Sequence, residues 1–320
     1  MRFFDVFNGD ADGICALIQL RQDEPRESEL ITGVKRDIAL LTRVDAQAGD
    51  QLTVLDVSMD KNRPELERAL EAGASVLYVD HHFAGEIPHN DNLQALINTA
   101  PDVCTSLLVN GHLKGRYARW AVVGAYGDNL HVSAGSLADQ IALDEDQKAL
   151  LCELGTYINY NGYGPSLDDL HFEPADLYQR MHSFADPLQF IAEDEQTFAR
   201  LKNGYTEDMA AAESITPMHE SDSSAVYMLP DEPWARRVSG VFGNDLANRF
   251  PQRAHAVFTE RADGGYLISV RAPLSNKVGA DEICRSFPTG GGRKAAAGVN
   301  NLPPDQLDDF VNTFSSFYSE

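Results

Sequence analysis

The triplet Asp80-His81-His82 places a carboxylate and two imidazoles at the end of an apolar run, Ala74-Ser75-Val76-Leu77-Tyr78-Val79. Two earlier runs end in aspartates as well. Asn8-Gly9-Asp10-Ala11-Asp12-Gly13 follows Arg2-Phe3-Phe4-Asp5-Val6-Phe7, and Asp56 follows Leu52-Thr53-Val54-Leu55. Carboxylates gathered at neighbouring strand ends repel one another unless a cation neutralises them, and carboxylate-plus-imidazole donors suit Mn, Fe, Co or Zn better than the all-oxygen shell of calcium. Asp10 and Asp12, two apart, share a side of an extended chain, while Gly9 and Gly13 let the backbone turn and start a helix whose amides face an anion. The competing reading makes Asp10 or Asp12 the N-cap of a tight strand-to-helix turn, and Asp56 a cap for the helical pattern opening at Lys61-Asn62-Arg63-Pro64. Asp128 ends the apolar stretch Val122-Val123-Gly124-Ala125-Tyr126-Gly127, where the helix dipole disfavours an acid; a ligand role explains it, an exposed loop acid is the alternative.

The elements that must carry these residues follow from periodicity. To about residue 130, short β-branched or aromatic runs alternate with amphipathic stretches, the pattern of a parallel sheet with crossover helices. Gly13–Leu20 and Arg63–Leu70 read as helices, Ile31–Val34 and Ala95–Asn98 as further strands. In open sheets of this kind ligands bind outside the carboxyl ends of the strands. Residues 105–180 read as mainly helical, broken by the turn formers Asn159-Tyr160-Asn161-Gly162-Tyr163-Gly164-Pro165, a loop that either faces substrate or connects helices. The polar stretch Ser214–Ser224 is the linker candidate. Beyond it, Ala225–Met228, Ala254–Phe258 and Tyr266–Val270 read as strands, with Ser239–Arg249 and Pro304–Tyr318 as helices.

The expected fold is α/β: an N-terminal doubly wound, mainly parallel sheet with a helical extension over 1–190, a helical connector and linker over 191–224, and a smaller C-terminal α/β domain over 225–320. A chain of 320 residues accommodates two cores, since single cores stop growing near roughly 250 to 300 residues. No apolar stretch approaches the roughly 20 residues that span a bilayer, and the four dispersed cysteines form no C-x-x-C pair, so a cytoplasmic protein with reduced thiols is expected. The net charge of −23 lacks the basic stripe that gripping long nucleic acid requires. A polyanionic substrate must be drawn in locally, by metal ions and a few cations.

The set of motifs resembles the DHH phosphoesterase superfamily, named for the triplet found here as Asp80-His81-His82. The family's first motif, H-x-D-x-D-G or D-x-D-x-D-G, is similar to Asn8–Gly13; its second is similar to Asp56 and its fourth to Asp128. The C-terminal unit resembles the DHH-associated domain, whose Gly-Gly-Gly-His-x-x-Ala-Ala-Gly pattern appears as Gly290-Gly291-Gly292-Arg293-Lys294-Ala295-Ala296-Ala297-Gly298. The resemblance covers most of the chain.

The resemblance implies two divalent ions, most often Mn2+, with Asp56 bridging them, Asp10 helping to hold one, and Asp12, His81 and Asp128 holding the other. Asn8 stands where the family often has histidine or aspartate and offers only a neutral amide oxygen, which implies weaker metal binding. Asp80 is expected to orient His81 from behind, and His82 to face the scissile phosphate as a charge-stabilising group. In the C-terminal unit, Gly290, Gly291 and Gly292 are expected to give close backbone approach to an anion, with Arg293, Lys294 and Arg271 as phosphate-binding cations. Arg293 in place of the family histidine offers a permanently charged fork.

The function so implied is hydrolysis of phosphodiester or phosphomonoester bonds in short oligonucleotides, dinucleotides or 3′-phosphonucleotides, with no membrane partner and a homodimer by family analogy. The alternatives are a single-strand exonuclease, a polyphosphate hydrolase, and a weakly catalytic nucleotide sensor, which Asn8 keeps open.

Overall fold

The computed structural model describes residues 1–319, and the chain divides into two compact units, Met1–Tyr205 and Thr206–Glu320. In the first, strands β1 (Phe3–Phe7), β2 (Glu29–Ile31), β3 (Gln51–Leu55), β4 (Ser75–Asp80) and β5 (Leu93–Ile97) form one sheet of order β2-β1-β3-β4-β5. Every pairing in it is parallel. Alternate side chains go to opposite faces, and both faces are apolar, as a parallel sheet buried on two sides requires. Phe4, Val6, Leu52, Val54, Val76 and Tyr78 pack on one face with Leu66, Ala69 and Leu70 of α2 (Arg63–Glu71). Phe7, Leu55 and Val79 pack on the other with α1 (Ala11–Asp23). The expected doubly wound parallel sheet is present.

The helical extension comprises α3 (Thr105–His112), α4 (Ala118–Gly127), α5 (His131–Gln140), α6 (Glu145–Asn161), α7 (Pro174–Met181), α8 (Pro187–Glu193) and α9 (Glu195–Glu213). The expected break within 159–165 is present, displaced by a few residues. The break placed at Asn159 comes later, because α6 runs on through Asn161 with Ile158, Tyr160 and Asn161 buried, and packing outweighs the turn tendency of the asparagines. Contacts divide the units within α9, ahead of the polar Ser214–Ser224 stretch, so the connector expected over 191–224 is shared between both.

The second unit holds β6 (His219–Glu220), β7 (Ser224–Leu229), β8 (Ala254–Glu260), β9 (Tyr266–Arg271), β10 (Gly290–Arg293) and β11 (Ala296–Leu302), in the order β10-β11-β9-β8-β7-β6. Only β7 and β8 pair in parallel among its described strands. Helix α10 (Pro233–Arg249) covers one face through Val238, Phe242 and Leu246, and starts earlier than expected because Pro233 suits the first helical turn. Helices α11 (Ala280–Arg285) and α12 (Leu307–Phe317) cover the other, where Ile283, Phe310 and Phe314 meet Val226, Phe258 and Ile268. No helix among the described residues is long and apolar enough to cross a membrane.

Candidate metal centre

Three strand ends and one helix end converge at the carboxyl edge of the parallel sheet. The turn after β1 is closed by packing: a Cβ on Gly9 would meet the Gly33 carbonyl oxygen at 1.9 Å, and one on Gly13 the Asn8 oxygen at 2.3 Å. Asp10 is the N-cap of α1, its Oδ1 accepting from the amides of Asp12 and Gly13 at 3.0 and 3.2 Å. Asp12 therefore lies in the first helical turn, and the two acids do not share a side of an extended segment. Both Asp12 oxygens accept amide hydrogens from the start of α3: Thr105 to Oδ2 and Ser106 to Oδ1, each at 2.7 Å. Helix α3 has no side-chain cap of its own, so Asp12 caps it from across the fold.

Asp56 follows β3 with φ +58°, a left-handed conformation that aspartate tolerates better than most residues. Its Oδ1 accepts from Thr105 Oγ1 at 3.2 Å and lies 3.4 Å from His81 Nε2. Nε2 is also 4.0 Å from Asp12 Oδ2 and 3.9 Å from Asp128 Oδ2, Asp128 being the residue that ends α4. The opposite nitrogen, Nδ1, donates to the Val103 carbonyl oxygen at 3.0 Å. A carbonyl can only accept, so Nδ1 carries the proton and the Nε2 lone pair is turned toward the carboxylates.

Asp80 does not orient His81. Its Oδ1 accepts from His82 Nδ1 at 2.8 Å, which raises the His82 pKa, chiefly through that bond. The reason is that the Val103 carbonyl already holds His81 Nδ1, which leaves the Asp80 carboxylate to the second ring.

Lys35, Val103, Thr105 and Ser106 escaped the sequence reading. Lys35 donates from Nζ to Asp10 Oδ2 at 2.5 Å and to Asn159 Oδ1 at 2.7 Å. Thr105 and Val103 hold Asp56 and His81 as described. Asn8, expected as a ligand, uses its amide locally: Oδ1 accepts from the Asp10 amide and Nδ2 donates to the Lys35 carbonyl, both at 3.2 Å.

The electrostatics ask for a cation. Burial, followed by the charges of Asp12 and Asp10, pushes the Asp56 carboxyl far above the usual range, and the same causes push Asp128 up to about 6. Burial acts upward on Asp10 too, but Lys35 outweighs it and holds Asp10 low. Asp12, His81 and Asp128, and likewise Asp56, His81 and His82, each present donor atoms within 4.8 Å of one another. These residues fit a divalent ion of the Mn or Zn type.

In the second unit, Gly290–Arg293 is not an open loop but the edge strand β10, paired antiparallel with β11. Packing accounts for two of its glycines, since a Cβ would meet the Cys284 oxygen at 1.7 Å from Gly290 and the Ala297 Cα at 2.4 Å from Gly292. A Cβ added at Gly291 would meet nothing within 4 Å. Arg293 and Lys294 are exposed. Arg271, by contrast, ties β9 to α10, donating to Asn244 Oδ1 at 2.6 Å and the Gly240 carbonyl at 3.2 Å.

Residues 222–320 match the DHHA1 domain family. Comparison with curated protein sequences finds no match. Among solved structures, exonuclease RecJ bound to manganese is similar at 17% identity with a TM-score of 0.65, over 100% of this chain and 90% of that one. RecJ in complex with Mn2+ from Thermus thermophilus gives 18% identity and 0.63, over 99% of this chain but 52% of that one, so the chain spans about half its length. The pGpG-specific phosphodiesterase PggH from Vibrio cholerae gives 14% identity and 0.60, over 100% and 99%. At such identities the likeness is one of fold. Residues 222–320 thus carry a DHHA1 domain, and the chain as a whole shares the fold of these structures.

Proposed function

We propose that the chain is a divalent-metal-dependent phosphoesterase acting on small nucleotidic substrates: short oligonucleotides, dinucleotides or 3′-phosphonucleotides. The observation that carries this reading is the convergence of Asp12, Asp56, Asp128 and the Nε2 lone pair of His81 at the carboxyl edge of the sheet. Asp12, Asp56, His81 and Asp128 would hold an ion, Mn2+ by analogy with the manganese-bound RecJ structures, which would supply Lewis acidity toward a phosphoryl oxygen and a water. His82, its pKa raised chiefly by the bond to Asp80 and its side chain 48% exposed, faces outward as the donor that stabilises charge developing on the phosphate. Asp80 acts through His82 as a positioning residue.

Phe83 supports a substrate that carries a base. Its side chain, 73% exposed, follows His82 directly, while its backbone is fixed by Ser58 Oγ donating to the Phe83 carbonyl at 3.1 Å and Arg63 Nη2 to the Ala84 carbonyl at 2.7 Å. A solvent-facing ring on a pinned backbone beside the reacting group can serve as a stacking platform for a nucleobase. Inorganic polyphosphate would leave it unused. The charge of −23 disfavours the long-strand exonuclease reading, though RecJ is among the structural neighbours. In the second unit Arg293 and Lys294 remain the anion-binding candidates. Four free cysteines accord with a cytoplasmic setting.

The test is turnover with manganese across a dinucleotide, a longer single strand, a cyclic dinucleotide, 3′-phosphoadenosine 5′-phosphate and polyphosphate. Preference for one of the small nucleotides is expected. Efficient digestion of the long strand or of polyphosphate overturns the substrate assignment, and tight nucleotide binding without turnover overturns the enzyme.

A further inference from the structure

Lys35 changes how many ions the site can hold. Its ammonium is seated by Asp10 Oδ2 and Asn159 Oδ1, its ring neighbour Tyr163 lies 5.8 Å away, and its backbone amide donates to the Gly162 carbonyl at 2.8 Å. The side chain is 26% exposed and that of Asp10 is 4% exposed, so the pair is largely shielded from water. Each residue expected to hold a second ion is committed elsewhere. Asp10 spends Oδ1 on the amides that start α1 and Oδ2 on Lys35. Asn8 spends its amide on the backbones of Asp10 and Lys35, and so braces the segment that presents the lysine. His81 belongs to both possible donor groups but has one free nitrogen, because Val103 holds the other, and one imidazole lone pair serves one ion.

We propose, resting on the metal-dependent reading above, that this centre binds a single divalent ion through Asp12, Asp56, His81 and Asp128, with the Lys35 ammonium supplying the positive charge that a second ion would bring. One dication and one ammonium offset all but one of the four carboxylate charges, those of the buried Asp10, Asp12 and Asp56 and of the half-buried Asp128. A second dication beside Asp10 would lie against the ammonium and be repelled in surroundings that screen charge poorly.

The test is manganese stoichiometry, read by elemental analysis of dialysed protein and by electron paramagnetic resonance, neither of which depends on turnover. One Mn2+ per chain with the signal of an isolated ion is expected. Two ions per chain with a spin-coupled signal overturn this proposal and leave the metal-dependent reading intact; no bound ion overturns both. Lys35→Met, which removes the charge at similar length, is expected to raise the stoichiometry from one toward two, and Lys35→Arg to keep it at one. A folded Lys35→Met protein that still binds one ion shows that the lysine does not set the number and overturns the proposal. If that variant does not fold, the wild-type stoichiometry decides.

Discussion

The Nδ1 of His82 donates to Asp80 Oδ1 across 2.8 Å, while the neighbouring His81 turns its own Nδ1 to the Val103 carbonyl. Two adjacent histidines thus receive opposite assignments. A ring bonded to a buried carboxylate is favoured as the imidazolium, and a ring bonded to a carbonyl keeps a lone pair for a ligand.

Asp80→Asn removes the interaction that raises the His82 pKa. In the role proposed for His82 the imidazolium is the active form, so activity should be lost as pH rises through the His82 pKa, and the variant should lose it at lower pH than the wild type. We expect kcat to fall at least tenfold at neutral pH with KM little changed, a part of the roughly 10²–10⁴-fold that a proton-bearing catalytic group contributes. Metal content should not move. A kcat–pH profile with an unshifted alkaline limb contradicts the role given to His82.

Phe83→Ala should raise KM for a dinucleotide by about 5- to 150-fold, the range that follows from a stacking contribution of roughly 1–3 kcal/mol per base. Polyphosphate or another base-free substrate should be unaffected. An equal loss on both substrates would assign Phe83 to the loop and not to the base.

His255 gives the second unit its own pH dependence. The side chain is fully buried, and burial, followed by the charge of Arg253, lowers its pKa to about 4 from the ordinary 6.5. Between those values the unfolded chain binds the extra proton, so stability is complete above pH 6.5 and declines as pH falls toward 4. From pH 7 to pH 5 the loss should be about 2 kcal/mol, at roughly 1.4 kcal/mol per unit. His255→Gln should lack this part of the decline, which urea unfolding at the two pH values will show; parallel declines in both proteins would refute it.

The strand ends were legible because each joins two strong signals, an apolar β-branched run and an acid directly after it. Asp56, Asp80 and Asp128 all fall at the ends of their elements as expected. The residues that complete the site were not legible, since they reach it from far along the chain without any local pattern. Lys35 meets Asn159 across 124 positions, and Ser106 meets Asp12 across 94. Nothing periodic marks Val103 as the carbonyl that fixes a tautomer. The glycine run was recognisable by composition, but β10 pairs as an edge strand because the close approaches at Gly290 and Gly292 arise only once α11 and β11 pack beside it.

The central claim is that an ion at Asp12, Asp56, His81 and Asp128 drives phosphoester hydrolysis. Its most direct test titrates chelator-treated protein with manganese while following both bound metal and dinucleotide turnover, in the wild type and in His81→Ala. Turnover should rise in proportion to bound manganese and saturate with it, and His81→Ala should weaken binding and lower turnover at least a hundredfold even at saturating metal. Turnover that persists in the chelator, or a His81→Ala protein that binds and turns over as the wild type does, would contradict the account.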